Sequence, residues 1–244
     1  MESISQTYSR LRLAQKGRAR GAPAYSVFVN RPVGRMLAAV AYRIGLTPNQ
    51  VTLISAVFTF TAIALIAIVP ASAVIGVVIW LLLALGYAWD SADGQVARLR
   101  GGGSLAGEWL DHFVDAAKIT SLHLAVLVGL SRSTDIPQAW LLVPILFTIV
   151  GSTTFFAMIL NDLLKGKRGV ASAHSTGGGG ILRSLLLLPT DYGVLMLTFV
   201  LWGWPLLFFG IYSLLFLACA AFLVAAAITW FRQMVRLDRE TIAS

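Results

Sequence analysis

Asp90, Asp93, Asp111 and Asp115 stand in one short stretch, WDSADGQVARLRGGGSLAGEWLDHFVDAAK (Trp89 to Lys118), of a chain with only 11 Asp plus Glu among 244 residues. With Glu108 they gather five of those eleven acids within 26 residues, between two long apolar runs. At about 100° of turn per helical residue, Asp90 and Asp93 share one face. Gly94 and Ala97 fall on the same stripe, and Arg98 sits at its edge. Gly107, Asp111, Asp115 and Lys118 form a second stripe by the same spacing. The connector LRGGGSLA is short and Gly-rich, so the two helices are expected to be antiparallel neighbours. Asp93 lies five residues before Arg98 and Asp111 five after Ala106. With a rise of about 1.5 Å per residue, both acid pairs sit roughly 7 Å inside the helix ends.

Four ionised carboxylates facing one another in a low-dielectric setting repel strongly. One or two divalent cations between them make the arrangement tolerable, and all-oxygen ligands favour Mg²⁺, Mn²⁺ or Ca²⁺ over zinc. Gly94 and Ala97 let an extended ligand approach the backbone, and Arg98 offers a bidentate donor for phosphate. Carboxylates, divalent metals, small residues and an arginine point to a diphosphate ligand and to phosphoryl transfer, in which a two-metal clamp stabilises attacking and leaving oxygens.

The elements that position these residues are apolar. Hydrophobic residues make up 57% of the chain and charged residues 12%, with a mean hydropathy of +0.79. Soluble domains carry about a quarter charged residues, and a bilayer core is crossed by roughly 20 residues of helix. Six spans are expected, at about Pro48 to Val69, Ala71 to Arg98, Gly107 to Leu130, Pro137 to Leu164, Arg183 to Trp202 and Pro205 to Arg232. The expected fold is all-α: a polytopic membrane bundle of six transmembrane helices preceded by an amphipathic interfacial helix. One domain, 47–236, follows an N-terminal segment, 1–46, and precedes a short tail, 237–244.

Seventeen of the 19 Lys and Arg fall on one side of these spans, with Arg132 on the other and Lys118 inside a span. The positive-inside rule then puts both termini, and the acids, at the cytoplasmic face of the cell membrane. The net charge of +8 belongs to headgroups rather than to nucleic acid, because the cations flank the spans. No secretory h-region opens the chain, and the single Cys219 excludes a disulfide framework or a Cys-based metal site. In NRPVGRMLAAVAYRIG, Val33, Met36, Leu37, Val40 and Ile44 recur at helical spacing, with Arg31, Arg35 and Arg43 expected among headgroups. LTPNQVT reads as a helix start, with Thr47 as N-cap, Pro48 first and Gln50 as capping partner. STGGGG, before Ile181, reads as a connector or as a flexible loop able to close over a site.

The spacing Asp90-x2-Asp93-Gly94-x2-Ala97-Arg98-x8-Gly107-x3-Asp111-x3-Asp115 resembles the signature of the CDP-alcohol phosphotransferases at every fixed position. The likeness extends along the chain, from the interfacial helix and the TPNQVT entry through six spans. It implies an integral-membrane enzyme of phospholipid biosynthesis, a homodimer, using Mg²⁺ or Mn²⁺, with two ions expected. It implies Asp90, Asp93, Asp111 and Asp115 as metal ligands, with Asp115 also the general base. It further implies Asn49, Thr52, Asp90, Asp93, Gly94, Ala97, Arg98 and Gly107 around the CDP moiety. The implied reaction is attack by an acceptor hydroxyl on the β-phosphorus of a CDP-alcohol, most simply CDP-diacylglycerol, with CMP leaving.

The acceptor is less legible. Lys118 and Arg183 are the candidates for contacting it, with Lys165, Lys167, Arg168 and His174 as further cations. Lys118 has a second reading, as a lysine that neutralises the acids. Branches that take phosphorylated inositol or glycerol carry paired arginines opening the fifth span, whereas GGILRSLLLLP holds one. That leaves serine, free inositol or another polyol open, as well as the reverse arrangement in which a small CDP-linked headgroup is moved to a lipid alcohol. Asp162 reads as a helix-end acid paired with Lys165 or as a contact for acceptor hydroxyls, and His112 and His123 read as packing residues. A divalent-cation transporter is the reading from another class. It requires polar groups at several depths, whereas the acids here share one.

Overall fold

The computed structural model describes residues 4–13, 24–170 and 190–242, and no strand occurs among them. The helices are α1 (Ile4–Leu13), α2 (Arg31–Arg43), α3 (Pro48–Ile68), α4 (Ala73–Leu99), α5 (Leu105–Leu130), α6 (Leu142–Lys167), α7 (Tyr192–Thr198) and α8 (Pro205–Ile242). Arg183, His174 and the STGGGG stretch lie outside the described residues. Among the described residues, five helices are long and apolar enough to cross a membrane: α3, α4, α5, α6 with its leading 3₁₀ turn, and α8. At the place of the expected fifth span stands a shorter apolar helix, Tyr192–Leu201. α8, at 38 residues, is about 57 Å long. That exceeds a bilayer core of about 30 Å, so its last turns extend past the apolar layer.

Local chemistry sets the helix ends. Thr47 Oγ1 accepts from Gln50 N at 3.3 Å while Thr47 N donates to Gln50 Oε1 at 2.8 Å, so the capping box forms with Pro48 as first helical residue. Ser72 and Ser104 cap α4 and α5 through their hydroxyls. Between those two helices, Gly101 (φ +95°) and Gly102 (φ +135°) adopt backbone angles that side chains disfavour, which lets the chain reverse at once. α4 and α5 are therefore antiparallel, but they are not the close neighbours the connector suggested: α3 packs on both, and they make little direct contact with each other.

Lipid supplies little hydrophobic drive between helices, so close contact comes from small residues. Gly86 on α4 is the clearest case: a Cβ there would collide with Thr59 of α3. Its absence brings Ser55 Oγ within 2.8 Å of Gly86 O, to which it donates. The half of the bundle away from the acids holds a large core that includes Ile66, Ile79, Leu83, Leu122, Val126, Phe199, Trp202, Phe208 and Tyr212. Its aromatic members interlock, with Trp202 edge-on to Phe208 at 4.9 Å and Phe208 stacked on Tyr212 at 5.4 Å. His123 belongs to this core. It stacks on Phe147 at 4.0 Å, and its Nδ1 lies 2.7 Å from the Tyr212 hydroxyl.

α2 lies against α4, burying Gly34, Ala38 and Ala41 and leaving Val33, Met36 and Ile44 exposed. Arg35 departs from the sequence expectation. Instead of meeting headgroups it is buried beneath α1, its guanidinium 5.1 Å from the Tyr8 ring and its Nη1 donating to the Tyr8 hydroxyl at 3.4 Å. α1, which the apolar pattern does not announce, supplies that cover; its Leu11 joins Ala38, Val51, Ala92 and Val96 in a second small core.

The fifth span also departs from an unbroken helix. Asp191 is non-helical and buried. Its Oδ1 accepts from Gly193 N at 2.9 Å, and its Oδ2 accepts from Tyr25 N at 2.9 Å and Ser26 N at 3.3 Å. One carboxylate thus starts α7 and fastens the chain entering α2. Leaving a buried polar group unpaired costs about 1–3 kcal/mol. Asp191→Ala is expected to lower the thermal midpoint in detergent by several degrees, with Asp191→Asn intermediate. An unchanged midpoint for the alanine variant would show that water replaces the carboxylate.

Candidate active site

α4 carries Asp90 and Asp93, and α5 carries Asp111 and Asp115, one turn apart on facing stripes. The antiparallel turn brings three of the four together. One ligand oxygen each from Asp90, Asp93 and Asp111 lie within 4.8 Å of one another. Asp93 is buried, and Asp90 and Asp111 are half-buried, so the triad is open on one side. Asp115 lies outside that triad and meets Lys118, whose Nζ is 3.2 Å from its Oδ1.

α3 orients the acids of α4 with two hydroxyls, one turn apart. Thr52 Oγ1 donates to Asp93 Oδ2 at 2.7 Å. Ser55 Oγ accepts from Lys118 Nζ at 3.0 Å and lies 3.4 Å from Asp90 Oδ1. The Lys118 ammonium is buried and also donates to Asp90 Oδ1. Asp93 Oδ1 takes the Gly94 N–H.

The remaining residues expected around a nucleotide gather at the mouth of this cluster. Asn49 opens α3 against Gly107 of α5; a Cβ on Gly107 would lie 3.1 Å from Asn49 Oδ1. The exposed Arg98 folds back over Gly94, with Nη1 3.7 Å from where a Cβ would stand, and Ala97 lies half-buried beside them. Arg100, which sequence reading assigns only to the basic flank, donates to Gly45 O at 3.0 Å and Leu46 O at 2.9 Å. It clamps the α4–α5 turn to the entry of α3. Lys118 turns inward to the acids, which is the neutralising arrangement. Arg183 lies outside the described residues. His112 packs edge-on to Phe155, at 6.2 Å.

Ser55, Arg100 and Asp191 carry contacts that the sequence alone does not signal. Ser55 is the one with a faint trace, because it sits one turn from Thr52 on α3. Its partner could be named only after α4 and α5 were placed.

The family model for CDP-alcohol phosphatidyltransferase matches residues 45–235. The chain belongs to that family. It is also similar to the phosphatidylinositol phosphate synthase of Corynebacterium glutamicum, with 31% identity over 160 residues, covering 65% of this chain and 67% of that one. This phosphatidyltransferase-family protein is thus a multi-pass membrane CDP-alcohol phosphotransferase of phospholipid biosynthesis.

Thr52 is the contact through which α3 aims a carboxylate of that cluster. Groups that orient metal ligands typically contribute 10–100-fold to affinity or activity. Thr52→Val, which keeps the shape and removes the hydroxyl, is expected to lower turnover by roughly that factor. A steady-state CMP-release assay measures it; activity within twofold of the parent would leave Thr52 as packing alone.

Proposed function

We propose that the enzyme transfers the phosphatidyl group of CDP-diacylglycerol to a hydroxyl of a small polar acceptor, releasing CMP at the cytoplasmic face. The observation that carries this reading is the triad of Asp90, Asp93 and Asp111, whose oxygens lie within 4.8 Å of one another at one end of two antiparallel helices. Such a set of hard oxygen donors fits Mg²⁺ or Mn²⁺. In this reading Asp90, Asp93 and Asp111 would hold the ion, and Asp115 would serve a second. When bound, the metal supplies neutralisation of charge on the diphosphate and on departing CMP.

The chain's own residues do the rest. Asn49 and Gly107, in contact across α3 and α5, flank the nucleotide, and Gly94 and Ala97 leave room for its diphosphate. Arg98 donates to that diphosphate from above Gly94. Asp115, one turn deeper than Asp111 and held by Lys118 through Oδ1, takes the proton of the acceptor hydroxyl through its other oxygen. The acceptor oxygen forms a bond to the β-phosphorus as the bond from that phosphorus to the bridging oxygen breaks, and CMP leaves with that oxygen. The lipid tails stay in hydrocarbon while nucleotide and acceptor arrive from the aqueous side.

The basic residues support the cytoplasmic orientation of the site and of both termini. Arg98 and Arg100 flank the acid end of α4 and α5, Lys165 to Arg168 close α6, and Arg132 is alone at the opposite end of α5. The relative's name makes an inositol phosphate the first acceptor to try, beside free inositol, serine and glycerol 3-phosphate. The homodimer implied by the resemblance belongs to the same reading: α6 and α8 leave most of their apolar surface open to lipid or to a second copy.

The test is CMP release by the purified enzyme in liposomes with Mg²⁺ or Mn²⁺, using CDP-diacylglycerol against that acceptor panel. Release with one acceptor, abolished by EDTA, is the expected result. Silence with CDP-diacylglycerol but release from a small CDP-alcohol with diacylglycerol would reverse donor and acceptor.

A further inference from the structure

Lys118 sits midway along α5, and the structure surrounds it with acids. Its Nζ donates to Asp90 Oδ1, to Asp115 Oδ1 at 3.2 Å and to Ser55 Oγ at 3.0 Å. An ammonium has three N–H bonds, so all of them are engaged. Ser55 is fully buried and spends its own proton on Gly86 O, which turns its lone pairs toward the lysine. The three acceptors come from α3, α4 and α5, and all are fixed by helix packing.

We propose that Lys118 is a positioning residue that acts as an internal counter-cation: it holds Asp90 and Asp115 in register and competes with the divalent ion for the acid cluster. This rests on the metal reading above. Asp90 belongs both to the lysine's contacts and to the triad that could hold a metal. A divalent ion at the triad therefore meets a fixed positive charge bonded to one of its own ligands. Repulsion between the two lowers the ion's affinity. In return, four clustered carboxylates remain folded together at low metal, because one of their charges is matched within the protein.

The arrangement also separates Lys118 from the acceptor. A buried ammonium with its three donors engaged reaches an incoming phosphate only by leaving the acids, which uncovers Asp90 and Asp115 to one another. Its effect on catalysis runs through the position of those two side chains and the strength of metal binding. The proposal thus predicts an effect on cation affinity in the absence of any substrate, which a lysine serving the acceptor does not.

The experiment is titration of Mn²⁺ into the detergent-solubilised full chain, read by electron paramagnetic resonance, for the parent, Lys118→Met, Lys118→Gln and Ser55→Ala. Thermal midpoints are recorded in EDTA and in excess Mn²⁺. Both neutral variants of Lys118 are expected to bind Mn²⁺ at least about tenfold more tightly than the parent. They are also expected to melt lower in EDTA, with the gap closing in Mn²⁺. Ser55→Ala keeps the charge and should shift affinity by less than about threefold. Equal or weaker Mn²⁺ binding in folded Lys118 variants overturns the proposal while leaving the metal reading intact. If Lys118→Met does not fold, Lys118→Gln, which retains an N–H donor for the carboxylates, decides it. A parent that binds no Mn²⁺ overturns the metal reading, and this inference with it.

Discussion

Asp93→Ala is expected to abolish CMP release, by at least about a thousandfold, and to remove divalent-cation binding with it. Asp93 is the buried member of the triad, and both its oxygens are positioned, Oδ2 by Thr52 at 2.7 Å and Oδ1 by the Gly94 N–H. Its removal leaves Asp90 and Asp111 to hold a cation between two helices without the group that fixes their separation. A Lewis-acid contribution of several kcal/mol, at about 1.4 kcal/mol per decade of rate, gives the size. Stability is expected to move the other way. Deleting one of four clustered carboxylates relieves repulsion, so the thermal midpoint in EDTA should hold or rise. That opposite sign separates loss of function from loss of fold. Mn²⁺ affinity and CMP release, measured on the same preparation, check it. A variant that binds Mn²⁺ as the parent does would take Asp93 out of the ligand set.

Asp115→Asn is expected to lower turnover by about 10²–10⁴-fold, the range attributable to a positioned base, with little change in the KM for the CDP-alcohol. Asparagine keeps the volume, and its carbonyl oxygen still accepts from Lys118, so the pocket retains its shape. Proton acceptance by the other oxygen is what disappears. Asp115 stands outside the triad, so Mn²⁺ binding is expected to persist, weakened by about tenfold through the loss of one nearby negative charge. The two substitutions therefore give different patterns: Asp93→Ala loses metal and activity together, whereas Asp115→Asn loses activity and keeps metal. If Asp115→Asn turned over within tenfold of the parent, the base would have to be sought elsewhere. If it lost Mn²⁺ as well, Asp115 would be a ligand before it is a base.

These expectations depend on geometry that was partly visible in the chain itself. Helical periodicity put Asp90 with Asp93 and Asp111 with Asp115, and the Gly-rich connector made their helices antiparallel. The triad does not follow from that alone: α4 and α5 make little direct contact, and α3, packed on both, sets the distance between their acid stripes. Hydropathy showed where α3, α4, α5, α6 and α8 run, and the Thr47–Gln50 box marked the start of α3 to the residue. Such features are encoded in short stretches, where spacing along one helix or a local side-chain-to-backbone bond decides the outcome.

What the sequence left open is every contact made between elements distant in the chain. Lys118 shared a stripe with Asp111 and Asp115, which suited an acceptor contact as well as an acid partner. Only the approach of α3, made possible by Gly86, brought Ser55 to its ammonium and turned it inward. Arg35 had the spacing of a headgroup residue, and α1 then covered it with Tyr8. Asp191 was hidden inside an apolar run, yet it caps α7 and holds the backbone of Tyr25 and Ser26. Periodicity says which face a residue occupies, not which neighbour that face meets. In an apolar bundle that choice rests on small residues and side-chain fit, which leave no alternation of polar and apolar positions to read.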